Sequence, residues 1–573
     1  MEYHFLIEKT LENRGITREF LDGMEQSRSE PMLNVEPMCK RLKAIHDSGD
    51  CITFIPDFDM DGIMSGVTGF AGLCELGFNT RLFLPDPTEG YGFGKATIKR
   101  LVREYPDTKV IMTGDVGISC NEGLKFARSL GIQTLVTDHH MEPAEACEAD
   151  VCVDPMQKHD PYDFPHICGA AVVYKVLQAY ADAYCDKFVS EQIRRLRVFA
   201  GIGTVADGMP VLKENRRYIR DAVSILSMVY AAGSDKVVGM IHGCPQYVRA
   251  FYGLYTVMDV LAGHGKLRAG DVIDETFLGF YVAPVFNSVK RMGEDMDLAF
   301  GTFFGGNPRE YMEKLFVLNE QRKETVEKHF KALKTSEKRG MEPYIYIIDA
   351  PSGVLGLLAQ NVMSETGMPC MVLRPEDNGN GKTVYFGSGR SPWWYDAVTR
   401  TAGHGVALQG HETAFGVKRC GMDELKEFYA FMKADAAESM RKVDPADLVW
   451  KPDFVIDQQG RGDTAIDILS FLEYLDGFKR LAPFGNGFKG PDILLRIHRG
   501  EGIWSRIGRE KQHVKVTMPR GLDVLAWNCA DQMDRYESRD TALVRGRLET
   551  SSFNGEDCVQ FVGKFIESEA VLP

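Results

Sequence analysis

Three short apolar runs constrain this chain more than any other feature. Cys51-Ile52-Thr53-Phe54-Ile55, Val110-Ile111-Met112-Thr113 and Thr134-Leu135-Val136-Thr137 each read as a buried strand, with ten or more residues of helical pattern between one and the next. Strands that alternate with helices form βαβ units and a parallel sheet, whose sites lie beyond the carboxyl ends of the strands. Each run leads directly into an acidic residue: Asp57, Asp115 or Asp138. Sheet geometry alone therefore brings three carboxylates to one edge.

The remainder of the 573 residues leaves room for about three or four domains. A charged stretch from about Arg309 to Arg339 carries Met312, Leu315, Phe316 and Leu318 at helical spacing without internal Gly or Pro, and reads as a bridging helix. Tyr344-Ile345-Tyr346-Ile347-Ile348 opens a second α/β unit that runs to about residue 435, and Asp444-Pro445 marks a linker. From about residue 485, short β-type runs broken by turn residues (Val514-Lys515-Val516-Thr517, Leu522-Asp523-Val524-Leu525-Ala526, Ala542-Leu543-Val544) suggest a small all-β module, an OB-like barrel or a sandwich. Between Phe478 and Arg520 ten basic residues face only three acidic ones, a local +7 within a chain of net charge −14. Phe484, Phe488 and Trp504 are interleaved with them. Cations that follow a backbone and rings that stack on bases suit a sequence-tolerant single-strand binder; the alternative is that the rings fill a small barrel core.

Asp57-Phe58-Asp59-Met60-Asp61-Gly62 places three carboxylates at every second position after a strand, a cluster of like charges that divalent cations would offset. An EF-hand is the competing reading, but Thr68 stands where its terminal Glu belongs, and a solvated acidic turn is the other. Asp138-His139-His140 adds two imidazoles pointing different ways, which suits manganese better than an all-oxygen calcium cage. Asp115 and Asp207 each sit beside Gly, where an Asp is ordinarily a turn former. Together these residues suffice for two cations about 3.5–4 Å apart, able to activate a water against a phosphoester. No Ser-His-Asp arrangement, P-loop Lys or reactive Cys context points to a covalent route.

These motifs resemble those of the DHH phosphoesterase superfamily, and within it the RecJ-type single-stranded-DNA 5′→3′ exonucleases. Besides D-x-D-x-D-G and D-H-H, the likeness takes in Glu89-Gly90-Tyr91-Gly92-Phe93, Val205-Ala206-Asp207-Gly208-Met209-Pro210, Ser388-Gly389-Arg390-Ser391, Gly410-His411-Glu412-Thr413-Ala414-Phe415-Gly416 and Pro483-Phe484-Gly485-Asn486-Gly487, in the family's order from about residue 50 onward. It implies an α/β architecture: an N-terminal extension (1–49), a DHH parallel-sheet domain with a helical extension (50–305), a bridging helix (306–340), a DHHA1-type α/β domain (341–440) and an all-β OB-like domain (445–573). It further implies metal ligation by Asp57, Asp59, Asp61, Asp115, His139 and Asp207. His140 would contact the scissile phosphate, Asp138 would orient a histidine, and Arg390, His411, Ser388, Gly410 and Lys515 would bind substrate. Four motifs depart from the family pattern: Pro87 replaces its Arg, Val153-Asp154-Pro155 its V-N-P, residues 284–291 its P-R-L-N-A-x-G-R, and Gln409-Gly410-His411 its G-G-H.

The function expected is a Mn²⁺- or Mg²⁺-dependent exonuclease with two metals, degrading single-stranded DNA from a 5′ end. The alternatives are a phosphodiesterase of short oligonucleotides or cyclic dinucleotides, and a non-catalytic DNA-binding scaffold. A helicase or a single-strand-binding protein is a candidate partner, and a monomer is expected. The first residues lack a basic region followed by an apolar stretch, no apolar run reaches about 18 residues, and the 13 cysteines are scattered without a C-x-x-C pair. That usage fits reduced thiols in a cytoplasm, away from any membrane.

Overall fold

The computed structural model describes residues 4–24, 31–86, 89, 92–233, 245–268, 271–335, 341–379, 381–444, 447, 450–457, 468–553 and 556–567. Pro87, Gly90 and Tyr91 of the motifs named above lie outside the described residues. The chain divides into two units, one of Asp22–Glu324 with Pro483–Lys489, the other of Met1–Leu21, Thr325–Ala482 and Gly490–Pro573.

The first unit is built on a parallel sheet, β1 (Ile52–Pro56), β2 (Thr80–Leu82), β3 (Val110–Gly114), β4 (Gln133–Thr137) and β5 (Val151–Val153), in the order β2-β1-β3-β4-β5. Alternation sends Phe54, Met112 and Leu135 into one core and Ile55, Ile111 and Val136 into another, so both faces are covered, as parallel sheets require. On the first face the helix Met60–Glu75 is buried nearly all round because Gly66, Gly69 and Gly72 let Phe300, Phe54 and Leu177 approach its backbone. The helices Gly169–Tyr184 and Arg197–Ala206 pack beside it. The expected N-terminal extension is not one piece. Helix Val35–Ser48 joins this core through Met38, Leu42 and Ile45, whereas helix Phe5–Asn13 belongs to the other unit.

One continuous helix, Pro308–Thr335, leads from the first unit into the second, as its spacing predicts. In the second unit β6 (Ile345–Ile347), β7 (Cys370–Asp377), β8 (Thr383–Arg390), β9 (Leu408–Gly410) and β10 (Ala414–Cys420) form a mixed sheet ordered β6-β7-β8-β10-β9. Helix Leu355–Thr366 contributes to one of its cores and helix Met422–Lys442 to the other. A seven-stranded sheet follows, from β11 (Val455–Asp457), β12 (Ile493–His498), β13 (Ile503–Ile507), β14 (His513–Thr517), β15 (Asp523–Ala526), β16 (Thr541–Phe553) and β17 (Glu556–Ile566), ordered β11-β12-β16-β17-β15-β14-β13. This stretch is β-dominated as expected, with the helix Ile468–Lys479 added, whose Phe471, Tyr474 and Phe478 are buried.

Candidate metal centre

The strand ends deliver the acidic residues as the sheet requires. After β1, Asp59 caps the helix Met60–Glu75, accepting from Asp61 N (3.1 Å) and Gly62 N (3.2 Å). Asp61, in the first turn of that helix, accepts from Gly169 N (2.6 Å) and Ala170 N (3.2 Å), which fixes it against the start of the helix Gly169–Tyr184. After β3, Asp115 adopts a left-handed backbone (φ 67°), an arrangement an L-residue takes at a cost and that turns its carboxylate into the site. Asp207 follows the helix Arg197–Ala206 and bonds back to Gly203 O (2.9 Å).

His139 sits at the centre. Its Nε2 lies 3.1 Å from Asp115 Oδ1 and 3.8 Å from both Asp61 Oδ2 and Asp207 Oδ2. Among the described residues, ligand-type atoms converge within 4.8 Å in three overlapping sets: Asp57, Asp59 and Asp115; Asp61, His139 and Asp207; Asp115, His139 and His140. The structure thus brings together every residue of the first unit that the motifs single out as a ligand. Asp115 Oδ1 is buried and accepts no hydrogen bond. A Cβ at Gly169 would overlap that same oxygen, and one at Gly203 would overlap Asp61 Oδ1, so two close-approaching glycines keep space around these carboxylates. Buried oxygens of like charge, one without a donor, beside a ring nitrogen are a donor set fitted to divalent cations such as Mn²⁺ or Mg²⁺.

The electrostatics agree. Burial, then the neighbouring Asp59 charge, pushes Asp57 up to about 7, and burial with Asp61 and Asp59 pushes Asp207 up to about 8. Asp61 and Asp115 are raised for the same reasons. The two histidines diverge. Burial holds His139 below its ordinary value, leaving a neutral ring with a lone pair to offer. Burial also works against the charge of His140, but the hydrogen bond and charge of Asp138, with Asp57 and Asp207 beyond, outweigh it and raise His140 to about 9. Burial would raise Asp138, yet its bond to His140, the charges of both histidines and the Ile118 amide hold it below the usual carboxylate range. Asp138 Oδ1 lies 2.8 Å from His140 Nδ1, and Oδ2 accepts from Ile118 N at 2.9 Å. His140 is thereby an oriented cation at the rim of the cluster.

Three residues near the site, Asp154, Asn287 and Lys290, lie in motifs that depart from the family pattern and carry no role in that reading. Asp154, after β5, is buried with Oδ2 unpaired and raised to about 8 by burial and Asp138. Its only sequence signal is the departure from V-N-P. Lys290 places its ammonium beside Asp59, and Asn287 Oδ1 accepts from Met60 N (2.9 Å). Nothing in their spacing ties these two to a site formed more than two hundred residues earlier.

The remaining predicted residues lie in the second unit. There the pairing of Ala414 with Arg390, and of Phe415 with Gly410, brings Ser388, Arg390, Gly410 and His411 to one end of the β8-β10-β9 sheet. Gly410, at φ 141°, uses a backbone open to glycine. Lys515 pairs with Asp523 (2.8 Å). Of the three rings in the basic stretch, Phe488 is buried, stacked on Phe484 and covered by Arg216 at 5.0 Å, whereas Phe484 and Trp504, the latter stacked on Phe565, are half-buried. Phe488 fills a core, and Pro483–Lys489 belongs to the first unit. Arg480, Arg499 and Arg506 have acidic partners at Asp476, Asp540 and Asp534, so much of the local +7 is offset.

A model of the DHH family N-terminal domain matches residues 51–201, and one of the RecJ OB domain matches 469–564. The chain is 23 % identical to the single-stranded-DNA-specific exonuclease RecJ of Bacillus subtilis, across 98 % of its own length and 67 % of that protein's. It is also 23 % identical to RecJ of Haemophilus influenzae, across 98 % and 96 %. The crystal structure of RecJ in complex with Mn²⁺ from Thermus thermophilus superposes with a TM-score of 0.72 at 20 % identity, covering 98 % of this chain and 75 % of that one. With a parallel sheet whose strand ends carry the D-x-D-x-D-G and D-H-H residues, and with stretches similar to the DHH N-terminal domain and the RecJ OB domain in that order, the chain is similar to the RecJ exonucleases over nearly its whole length.

Proposed function

We propose that the protein is a metal-dependent exonuclease that hydrolyses single-stranded DNA from a 5′ end and releases mononucleotides. The observation that carries this reading is the convergence of Asp57, Asp59, Asp61, Asp115, His139 and Asp207 around a buried Asp115 oxygen that accepts no hydrogen bond, with His140 held at the rim by Asp138. These residues would hold Mn²⁺ or Mg²⁺, which would supply a water acidified toward neutrality and positive charge against the phosphate. His140 donates to a phosphate oxygen as charge builds there, Asp138 holds it charged and aimed, and His139 stays neutral. Arg390 and His411, with Ser388 and Gly410, bind substrate phosphates, and Lys515 adds a cation on the OB sheet. The metal site draws all its residues from one chain, which supports action as a monomer. No helix among the described residues is long and apolar enough to cross a membrane, and the described cysteines are free thiols, which supports a reducing, cytoplasmic setting.

Digestion of a 3′-labelled single-stranded oligonucleotide with Mn²⁺ or EDTA, beside Asp115→Ala, tests this. The expected result is a shrinking labelled ladder, with mononucleotides released early from the 5′ side, abolished by EDTA and by the substitution. Binding without hydrolysis in any divalent metal would leave a scaffold. Cleavage confined to very short oligomers would make it a small-substrate phosphodiesterase.

A further inference from the structure

Amid the acidic cluster stands one cation that the mechanism does not use. Lys290 sits on the short helix Ser288–Met292, where Ser288 and Val289 are fully buried and Asn287 bonds to the first residue of the helix Met60–Glu75. Its backbone is therefore fixed against the site. Its Nζ lies 4.0 Å from Asp59 Oδ2 and 4.1 Å from the centroid of the Phe58 ring. Its charge is also felt by Asp57 and Asp207, in each case favouring the ionised carboxylate. The side chain is 40 % exposed, so the ammonium is neither locked in a core nor loose on the surface. A half-exposed pair at this distance adds little stability by itself. Its location matters more, because Asp57, Asp59 and Asp115 form one of the sets that converge within 4.8 Å. Lysine's compact charge on a flexible stem can neutralise a carboxylate and also withdraw from it. In the motif over residues 284–291, Lys290 occupies the place of a glycine.

We propose that Lys290 is a tethered counter-ion of the metal centre: its ammonium neutralises Asp59 in the metal-free protein and withdraws from that carboxylate when a divalent cation binds. This rests on reading the cluster as a metal centre. Lys290 is then a positioning residue with two opposed effects. It relieves repulsion among the carboxylates when the site is empty, and it competes with the incoming cation. At separations of about 4–6 Å and partial screening, competition of this kind weakens cation binding roughly three- to twenty-fold.

The test is Mn²⁺ titration calorimetry on the full chain, with thermal melts in EDTA, for the wild type, Lys290→Met, Lys290→Gln and Lys290→Arg. Both neutral variants should bind Mn²⁺ roughly three- to twenty-fold more tightly yet melt lower in EDTA, while Lys290→Arg stays near the wild type. A merely structural lysine cannot move those two readings in opposite directions. Unchanged Mn²⁺ affinity in Lys290→Met and Lys290→Gln, or weaker binding, overturns the proposal. A wild type that takes up no Mn²⁺ overturns the metal-centre reading as well, so the two failures are distinct.

Discussion

Burial holds His139 down while Asp138 holds its neighbour His140 up, and that division can be read out residue by residue. Because Asp138 holds His140 up at about 9, its replacement by Asn lets burial pull the imidazole down. In Asp138→Asn the alkaline limb of the kcat profile should move about one pH unit or more lower. In His140→Ala, kcat should fall about 10²–10³-fold while Mn²⁺ binding by calorimetry stays near the wild type. Asp115 behaves in the opposite sense. Its buried carboxylate, crowded by the charges of Asp61, Asp59 and Asp57, costs stability in the metal-free protein, so Asp115→Asn, which tolerates the same left-handed backbone, should abolish hydrolysis yet raise the melting temperature in EDTA. Asp57, Asp115 and Asp138 were legible in sequence because strand ends of one parallel sheet must meet. Lys290 and Asp154 were not, since only the folded chain brings residue 290 to Asp59 and buries the residue after β5 without a partner.

At the scale of elements, apolar runs and helical spacing located β1, β3, β4 and the helix Pro308–Thr335 to within a few residues, because each is a continuous pattern. Aromatic residues among charges carry no such pattern. A ring awaiting a base and a ring covering a guanidinium look alike in sequence, which is why Phe488 stays open there between a stacking platform and a core ring. Phe488→Ala should therefore destabilise the fold by about 3 kcal/mol, seen as a lower denaturation midpoint, without weakening binding of a single-stranded oligonucleotide by the protein that remains folded. Helix contacts also set the metal site. A methyl at Gly203 would press on Asp61, so Gly203→Ala should weaken Mn²⁺ binding at least about ten-fold, measured by calorimetry, and lower activity accordingly.

For the molecule as a whole, the proposed metal centre sets metal and proton in competition for carboxylates such as Asp57 and Asp207. Asp57, Asp154 and Asp207 have folded-state values raised to between about 7 and about 8. A raised carboxyl contributes stability that is complete below its unfolded value near 4 and is lost as pH climbs through the folded value. The metal-free protein should thus lose thermal stability between about pH 4 and pH 8, and the gain in melting temperature on adding Mn²⁺ should grow over the same window. A gain independent of pH would contradict the assignment of Asp57 and Asp207 to the site. The way the chain is divided has a further consequence, one of timing. Arg216 donates to Pro483 O at 2.8 Å across 267 residues of sequence, and Val211 N bonds to Asn486 O. At about 5–20 residues per second, the ribosome finishes the first unit's sheet and helices on the order of tens of seconds before the segment that caps Arg216 emerges. The newborn catalytic half must wait, with Val211, Leu212 and the Arg216 guanidinium uncovered, for a clasp encoded near the far end of its own message.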